Sequence, residues 1–196
     1  MITKPTSEQQ KIIETEGNVV VTARPGSGKT YTIVEKIAGI LENVPEYQGV
    51  IAISYTNKAS DELKRRCKNK GIDLKSSFFG TIDKFYTNQI IRPFACHLTK
   101  KYIPLEIEKG IPDGSEYELL KGSGDKTEFT SEQAALVLKM LERGFIFLPL
   151  SGAVALYITK QIPEVLVYLK ARFTLFFIDE YQDGGAVQHE FFLYLV

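Results

Sequence analysis

The stretch NVVVTARPGSGKT, residues 18–30, decides the fold. Its first half, Asn18 to Ala23, is a short β-branched run of the kind that forms a buried parallel strand. After RPGSG the period changes: Ile33, Val34, Ile37, Ile40, Leu41 and Val44 recur at helical spacing, and Pro45 stops the helix they predict. Strand, glycine turn and helix in that order form a phosphate cradle, because consecutive backbone N–H groups curl around anionic oxygens at a helix N-terminus. Gly26 and Gly28 let the backbone pass close to the phosphates with no Cβ in the way. Lys29 would then reach the β- and γ-phosphates, and the Thr30 hydroxyl would hold Mg2+. Ala23 stands where such loops usually open with glycine, which alanine tolerates at negative φ. The letters GSGDKT at 122–127 look similar, but Asp125 interrupts them and no strand leads in. An acid there repels phosphate, so this second stretch reads as a solvated loop.

Outward from residue 18 the same alternation continues. PTSEQQKIIE reads as a helix start, with Thr6 or Ser7 as cap and Gln9 or Gln10 completing a capping box. GVIAISYT predicts a second strand, and Asn57 to Lys70 a helix with Ala59, Leu63 and Cys67 on one face. SSFFGT predicts a third strand, DKFYTNQII a helix behind it, and TLFFID a fourth strand. Strands alternating with helices imply an α/β fold with a parallel β-sheet flanked by helices. Between Phe94 and Arg172 the alternation breaks into Gly- and charge-rich loops and two helical patterns, one opened by a capping box at Thr130 and Gln133. The domain reading is therefore a sheet domain over 1–95 and 171–196, interrupted over 96–170 by a mostly helical inserted subdomain.

Composition narrows the classes. The chain has 196 residues, 44% of them hydrophobic, which is enough for one domain carrying an insertion. Lys plus Arg and Asp plus Glu balance at 24 each, so no global field selects a polyanion. Cys67 and Cys96 have neither CxxC spacing nor neighbouring histidines, which argues against zinc and for a reduced, cytoplasmic protein. The N-terminus lacks the apolar core of a signal peptide, and no run of about 18 apolar residues suggests a membrane span.

Near the C-terminus, LFFIDE delivers Asp179 and Glu180 at the end of a hydrophobic strand, where parallel sheets place ligands. One carboxylate would join the Mg2+ shell, and the next would position and deprotonate an attacking water. Such acids are a weak signal alone and a strong one beside an upstream phosphate loop. Together the letters resemble a family. DEYQD is similar to the DExQD motif of UvrD/Rep-like superfamily 1 DNA helicases. TSEQQKII resembles their N-terminal Q motif, AISYTNKASDELKRR their motif Ia, and GTIDKF their motif Ib, all in the right order over residues 5–95 and 172–192.

The resemblance implies a RecA-like P-loop NTPase that binds ATP and Mg2+ and works on single-stranded DNA. It places the nucleotide on Ala23, Arg24, Pro25, Gly26, Ser27, Gly28, Lys29, Thr30 and Tyr31, the metal on Thr30 and Asp179, and catalysis on Lys29 and Glu180. Gln9 would contact the adenine edge, with Gln10 one step away. A capping role for the same glutamine stays open, and the Tyr31 ring would either stack on the nucleotide or pack. Tyr55, Thr56, Asn57, Thr81 and Lys84 would bind DNA, although Thr81-Ile82-Asp83 stands where many relatives read TFH. Lys58, Lys64, Arg65, Arg66, Lys68 and Lys70 form either a solvated helix face or a DNA-tracking strip. The family hydrolyses ATP between two RecA-like domains, and an arginine from the second is worth roughly 10³–10⁵ in rate. The expectation is therefore an N-terminal piece of a longer helicase whose partner domains follow in cis, nearly inactive alone. The competing reading is a non-catalytic nucleotide-dependent DNA- or partner-binding module, complete at this length. A small-molecule kinase is disfavoured by DEYQD together with TNKA.

Overall fold

A computed structural model describes residues 4–24 and 26–195. Its strands are β1 (Gly49–Ile53), β2 (Phe78–Gly80), β3 (Glu106–Glu108), β4 (Phe145–Phe147) and β5 (Phe173–Ile178). The α-helices are α1 (Ser7–Glu14), α2 (Lys29–Leu41), α3 (Asn57–Asn69), α4 (Ile82–Phe85), α5 (Arg92–Thr99), α6 (Ser131–Glu142), α7 (Ser151–Gln161), α8 (Glu164–Arg172) and α9 (Ala186–Leu195). The chain divides into two compact units, one of residues 1–80 and 172–179, the other of residues 81–171 and 180–196.

In the first unit β2, β1 and β5 form a parallel sheet in that order. All five residues of β1 are buried, as expected for a central strand covered on both faces. Gly49 opens it because a Cβ there would lie 2.4 Å from the backbone nitrogen of Ser77. Opposite, the register with β5 slips between Gly49 and Val50, and the extra residue, Thr174, bonds its hydroxyl to the Gly49 carbonyl at 3.2 Å. Val34, Ile37 and Leu41 of α2 and Leu63 and Cys67 of α3 pack with Val50 and Ala52 of β1 into one core. Burial pushes the Cys67 thiol up to about 11, which makes it an inert apolar filler. The buried face of α3 is Ser60, Leu63 and Cys67. Ala59, expected on that face, is exposed, because the buried stripe runs through Ser60, Leu63 and Cys67 and leaves it one position outside.

One expected strand does not form. Residues 18–24 have no regular secondary structure, and Val20 is 93% exposed. A β-branched run becomes a strand only by joining a ladder, and among the described residues no strand pairs with it.

The second unit contains the aromatic cluster of Phe85, Tyr86 and Phe191, packed edge-on or tilted with centroids 5.2–6.1 Å apart. The helix expected from DKFYTNQII is α4 followed by a π-helical segment, Tyr86–Ile91, and then α5. Pro93 has no N–H for an i→i−4 bond, and the backbone widens just before it. Thr130 and Gln133 form the expected capping box on α6. Two three-residue strands that the periodicity did not predict, β3 and β4, pair in parallel, with Tyr117 against Phe145 and Phe147. GSGDKT is not wholly solvated: Ser123 is fully buried and accepts a hydrogen bond from Gln133 Nε2 at 2.9 Å.

Candidate functional site

The glycine loop is built by backbone conformation. Gly26 and Gly28 have φ of 79° and 85°, in the left-handed region that residues with a Cβ rarely enter. Gly28 caps α2 and contributes no side-chain cap bond to the N–H groups of the first turn of this 13-residue helix. Those donors and the helix dipole make the turn suited to an anion. The Ser27 N–H closes the loop onto the Arg24 carbonyl at 3.1 Å. Arg24, Gly26 and Ser27 are exposed, whereas Ala23, Gly28, Lys29, Thr30 and Tyr31 are half-buried. Pro25 lies outside the described residues.

Gln9 joins the loop from α1. Its Oε1 accepts from the Thr6 N–H at 3.0 Å, and its Nε2 donates to the Ser27 carbonyl at 3.0 Å. The capping box on Thr6 is therefore present, and the same side chain fastens the glycine loop. Gln10 bonds Glu14 instead.

The two motifs that the sequence keeps far apart meet within the first unit. Lys29 Nζ lies 3.9 Å from Asp179 Oδ1, with 39% and 37% of the two side chains exposed, so the pair is reachable from solvent. Asp179 follows β5 directly, and its N–H still bonds the Ile53 carbonyl at 2.9 Å. Ser54 N–H likewise bonds the Gly80 carbonyl at 3.1 Å. The C-terminal ends of all three strands thus lie side by side, which is where open parallel sheets place ligands. Glu180, next in the chain, belongs to the second unit and has φ 55° and ψ 43°. A left-handed conformation is uncommon for a residue with a side chain, and such strain is concentrated at working sites. Its Oε2 accepts from Gln182 Nε2 at 2.6 Å.

Tyr55, Thr56 and Asn57 follow β1 and lead into α3 in the first unit. Tyr55 is 72% exposed, Thr56 caps α3, and Asn57 is its first residue. Thr81 and Lys84 belong to the second unit: Thr81 caps α4 without a side-chain bond, and Lys84 is exposed. Asp83 accepts from Ser151 Oγ at 2.9 Å. Of the cations on α3, Arg65 and Arg66 bond Glu62, which holds its carboxyl below the usual range, and Lys70 pairs with Glu35. Lys58, Lys64 and Lys68 are exposed.

With this geometry in place, comparison with known proteins is specific. A family model described as the UvrD/REP helicase N-terminal domain matches residues 5–105, just over half of the chain. The chain belongs to that family. Among individual relatives, Gabija protein GajB of Bacillus cereus (strain VD045) is 32% identical over 95% of this chain and 36% of its own length. A probable DNA helicase II homolog of Rickettsia felis is 26% identical over 93% of this chain and 34% of its own length. One subunit of an ATP-dependent helicase/nuclease from Streptococcus agalactiae serotype Ia is 40% identical over 45% of the chain and 8% of its own length. The chain thus spans about a third of the length of the curated relatives that it matches almost end to end. Among the described residues, no helix is long and apolar enough to cross a membrane.

Sequence reasoning passed over one residue beside the site. Lys36 of α2 is half-buried and sends its ammonium to three carbonyls at the end of α1. Burial lowers its pKa from the usual lysine value, with Glu16 opposing. Helical periodicity carries no signal for such a contact, since the partners are 21 to 24 positions away.

Proposed function

We propose that this chain is the ATP-binding part of an ATP-dependent DNA helicase that translocates on single-stranded DNA. The observation that carries the reading is the meeting of Lys29 and Asp179 at 3.9 Å, at the N-terminus of the helix that Gly28 caps. A cation and a carboxylate side by side and half-exposed contribute little to stability. The same pair is what a magnesium triphosphate requires: an ammonium for the phosphates and an oxygen donor for the metal. Asp179 and the Thr30 hydroxyl supply the hard oxygen ligands that Mg2+ takes alongside phosphate oxygens. Bound there, magnesium would neutralise charge on the transferring phosphoryl group.

The loop from Ala23 through Pro25 to Gly28 would wrap the phosphates, and Lys29 would hold their outer oxygens. Tyr31 would flank the sugar or base. Gln9 would read the adenine edge by exchanging one of its two present bonds, since an amide offers a donor and an acceptor together. Glu180 would take the proton of the attacking water. Thr81 and Asn57 would bond DNA phosphates at helix starts, Lys84 would add charge, and the exposed Tyr55 ring would stack on a base. Hydrolysis at a useful rate would need arginines from a second RecA-like domain of a longer protein, a reading supported by the share of its relatives that the chain spans.

Calorimetric titration with ATP–Mg2+ tests the site. Lys29→Ala should weaken binding by about 100-fold, the loss of a charge-assisted contact. Glu180→Gln should leave affinity unchanged. Undiminished affinity in Lys29→Ala overturns the assignment. Brisk turnover by the 196-residue chain, stimulated by single-stranded DNA, would remove the need for a second domain.

A further inference from the structure

Helix α1 has eight residues, and none of their side chains is buried. A helix that short is marginal in water, and without core anchorage its persistence rests on its ends. At the N-terminus, Thr6 and Gln9 satisfy each other's backbone donors. At the C-terminus the carbonyls are taken in two ways. The Thr15 N–H and hydroxyl both bond the Lys11 carbonyl, at 3.0 and 2.6 Å. The Lys36 ammonium, arriving from α2, donates to the carbonyls of Ile12, Ile13 and Thr15 at 3.0, 3.1 and 2.5 Å.

An ammonium has three protons, and here each finds a carbonyl. The charge also sits at the negative end of the helix dipole. Half-burial of Lys36, with its pKa lowered by desolvation, marks a contact held out of bulk water. The connections close a ring. Lys36 stands on α2 two turns after Lys29 and grips the end of α1. The start of α1 carries Gln9, and Gln9 returns to the loop just before α2 through the Ser27 carbonyl. Gly28 shows how tight the closure is, since a Cβ there would lie 2.6 Å from Gln9 Nε2.

We infer that Lys36 is a positioning residue of the nucleotide site: by pinning the C-terminus of α1 to α2, it keeps Gln9 against the glycine loop. This rests on the nucleotide-site reading above and deepens it. Lys36 touches neither loop nor ligand, so the phosphate grip of Lys29 does not depend on it. Base selection through Gln9 does.

The test uses Lys36→Met, which keeps the stem and removes the donors, and Lys36→Arg, which restores donors to carbonyls. Amide hydrogen exchange is followed across α1 and α2, and affinities for ATP and GTP are measured calorimetrically. In Lys36→Met the α1 amides should exchange about tenfold faster and ATP should bind about tenfold more weakly, one charged cap and one base contact respectively. GTP affinity and α2 exchange should not change, and Lys36→Arg should restore both α1 protection and the preference for ATP. A purely structural lysine would weaken ATP and GTP equally, and that result overturns the inference. So does unchanged α1 exchange in Lys36→Met, or failure of Lys36→Arg to protect α1 if Lys36→Met does not fold. A wild-type chain that binds neither nucleotide refutes the nucleotide-site reading, and with it the selection of base by Gln9. The exchange of α1 in the variants would still decide whether Lys36 holds the helix.

Discussion

The chain carries Gly-Ser-Gly twice, at 26–28 and at 122–124, and the two copies end in opposite circumstances. In the first, Ser27 is exposed and the tripeptide runs straight into the 13 residues of α2, whose cap is Gly28. In the second, Ser123 is wholly buried, its hydroxyl takes a bond from Gln133, and no helix follows until Ser131. A Cβ on Gly124 would lie 2.2 Å from the Pro149 carbonyl oxygen, whereas one on Gly26 would meet nothing within 4 Å. One loop leaves its serine side chain exposed, and the other has buried it in its own fold. A glycine-rich tripeptide therefore takes its character from what comes after it and from whether its serine side chain is buried.

Two substitutions sharpen that difference. Gly124→Ala drives a methyl into a backbone carbonyl that cannot swing aside, and it should cost about 3 kcal/mol of stability, the upper range for overpacking. Thermal unfolding would show a lower Tm, with affinity for ATP unchanged below the transition. Gly28→Ala should cost less stability, about 1–2 kcal/mol for a side chain held in the left-handed region. Its larger effect is on binding, because relief at 2.6 Å displaces Gln9 from the Ser27 carbonyl. Gly28→Ala with full ATP affinity, or Gly124→Ala with none of the stability loss, would break the contrast.

How much of this was legible in the letters depends on how local the physics is. Both capping boxes, Thr6 with Gln9 and Thr130 with Gln133, are decided within three residues and were readable. Strands β1, β2 and β5 were readable because continuous apolar runs mark strands of parallel sheets. The run at 18–23 has the same composition but no ladder partner among the described residues, and pairing is a property of the whole sheet. Strands β3 and β4 have three residues each, too few for any period to show. In the site, the approach of Lys29 to Asp179 followed from motif order, since both sit at ends of elements that the sequence marks. The clamp of Lys36 was invisible, because a lysine on an amphipathic helix looks the same whether its ammonium meets water or three carbonyls.

The smallest expected effect separates the two serines themselves. Ser123→Ala removes the acceptor for a Gln133 amide that is itself buried and keeps only its second bond, to the Leu119 carbonyl at 3.1 Å. Leaving one of two donors unmatched in a closed interior should cost about 1 kcal/mol. Ser27→Ala alters an exposed side chain whose residue meets Gln9 and Arg24 through backbone groups alone, so stability should change by less than about 0.5 kcal/mol. Urea unfolding of the two variants in parallel would measure both. A Ser27→Ala variant destabilised as much as Ser123→Ala would mean that the first loop also relies on its serine side chain to hold its shape. That would remove the distinction between a loop that needs its serine side chain for its own fold and one that does not.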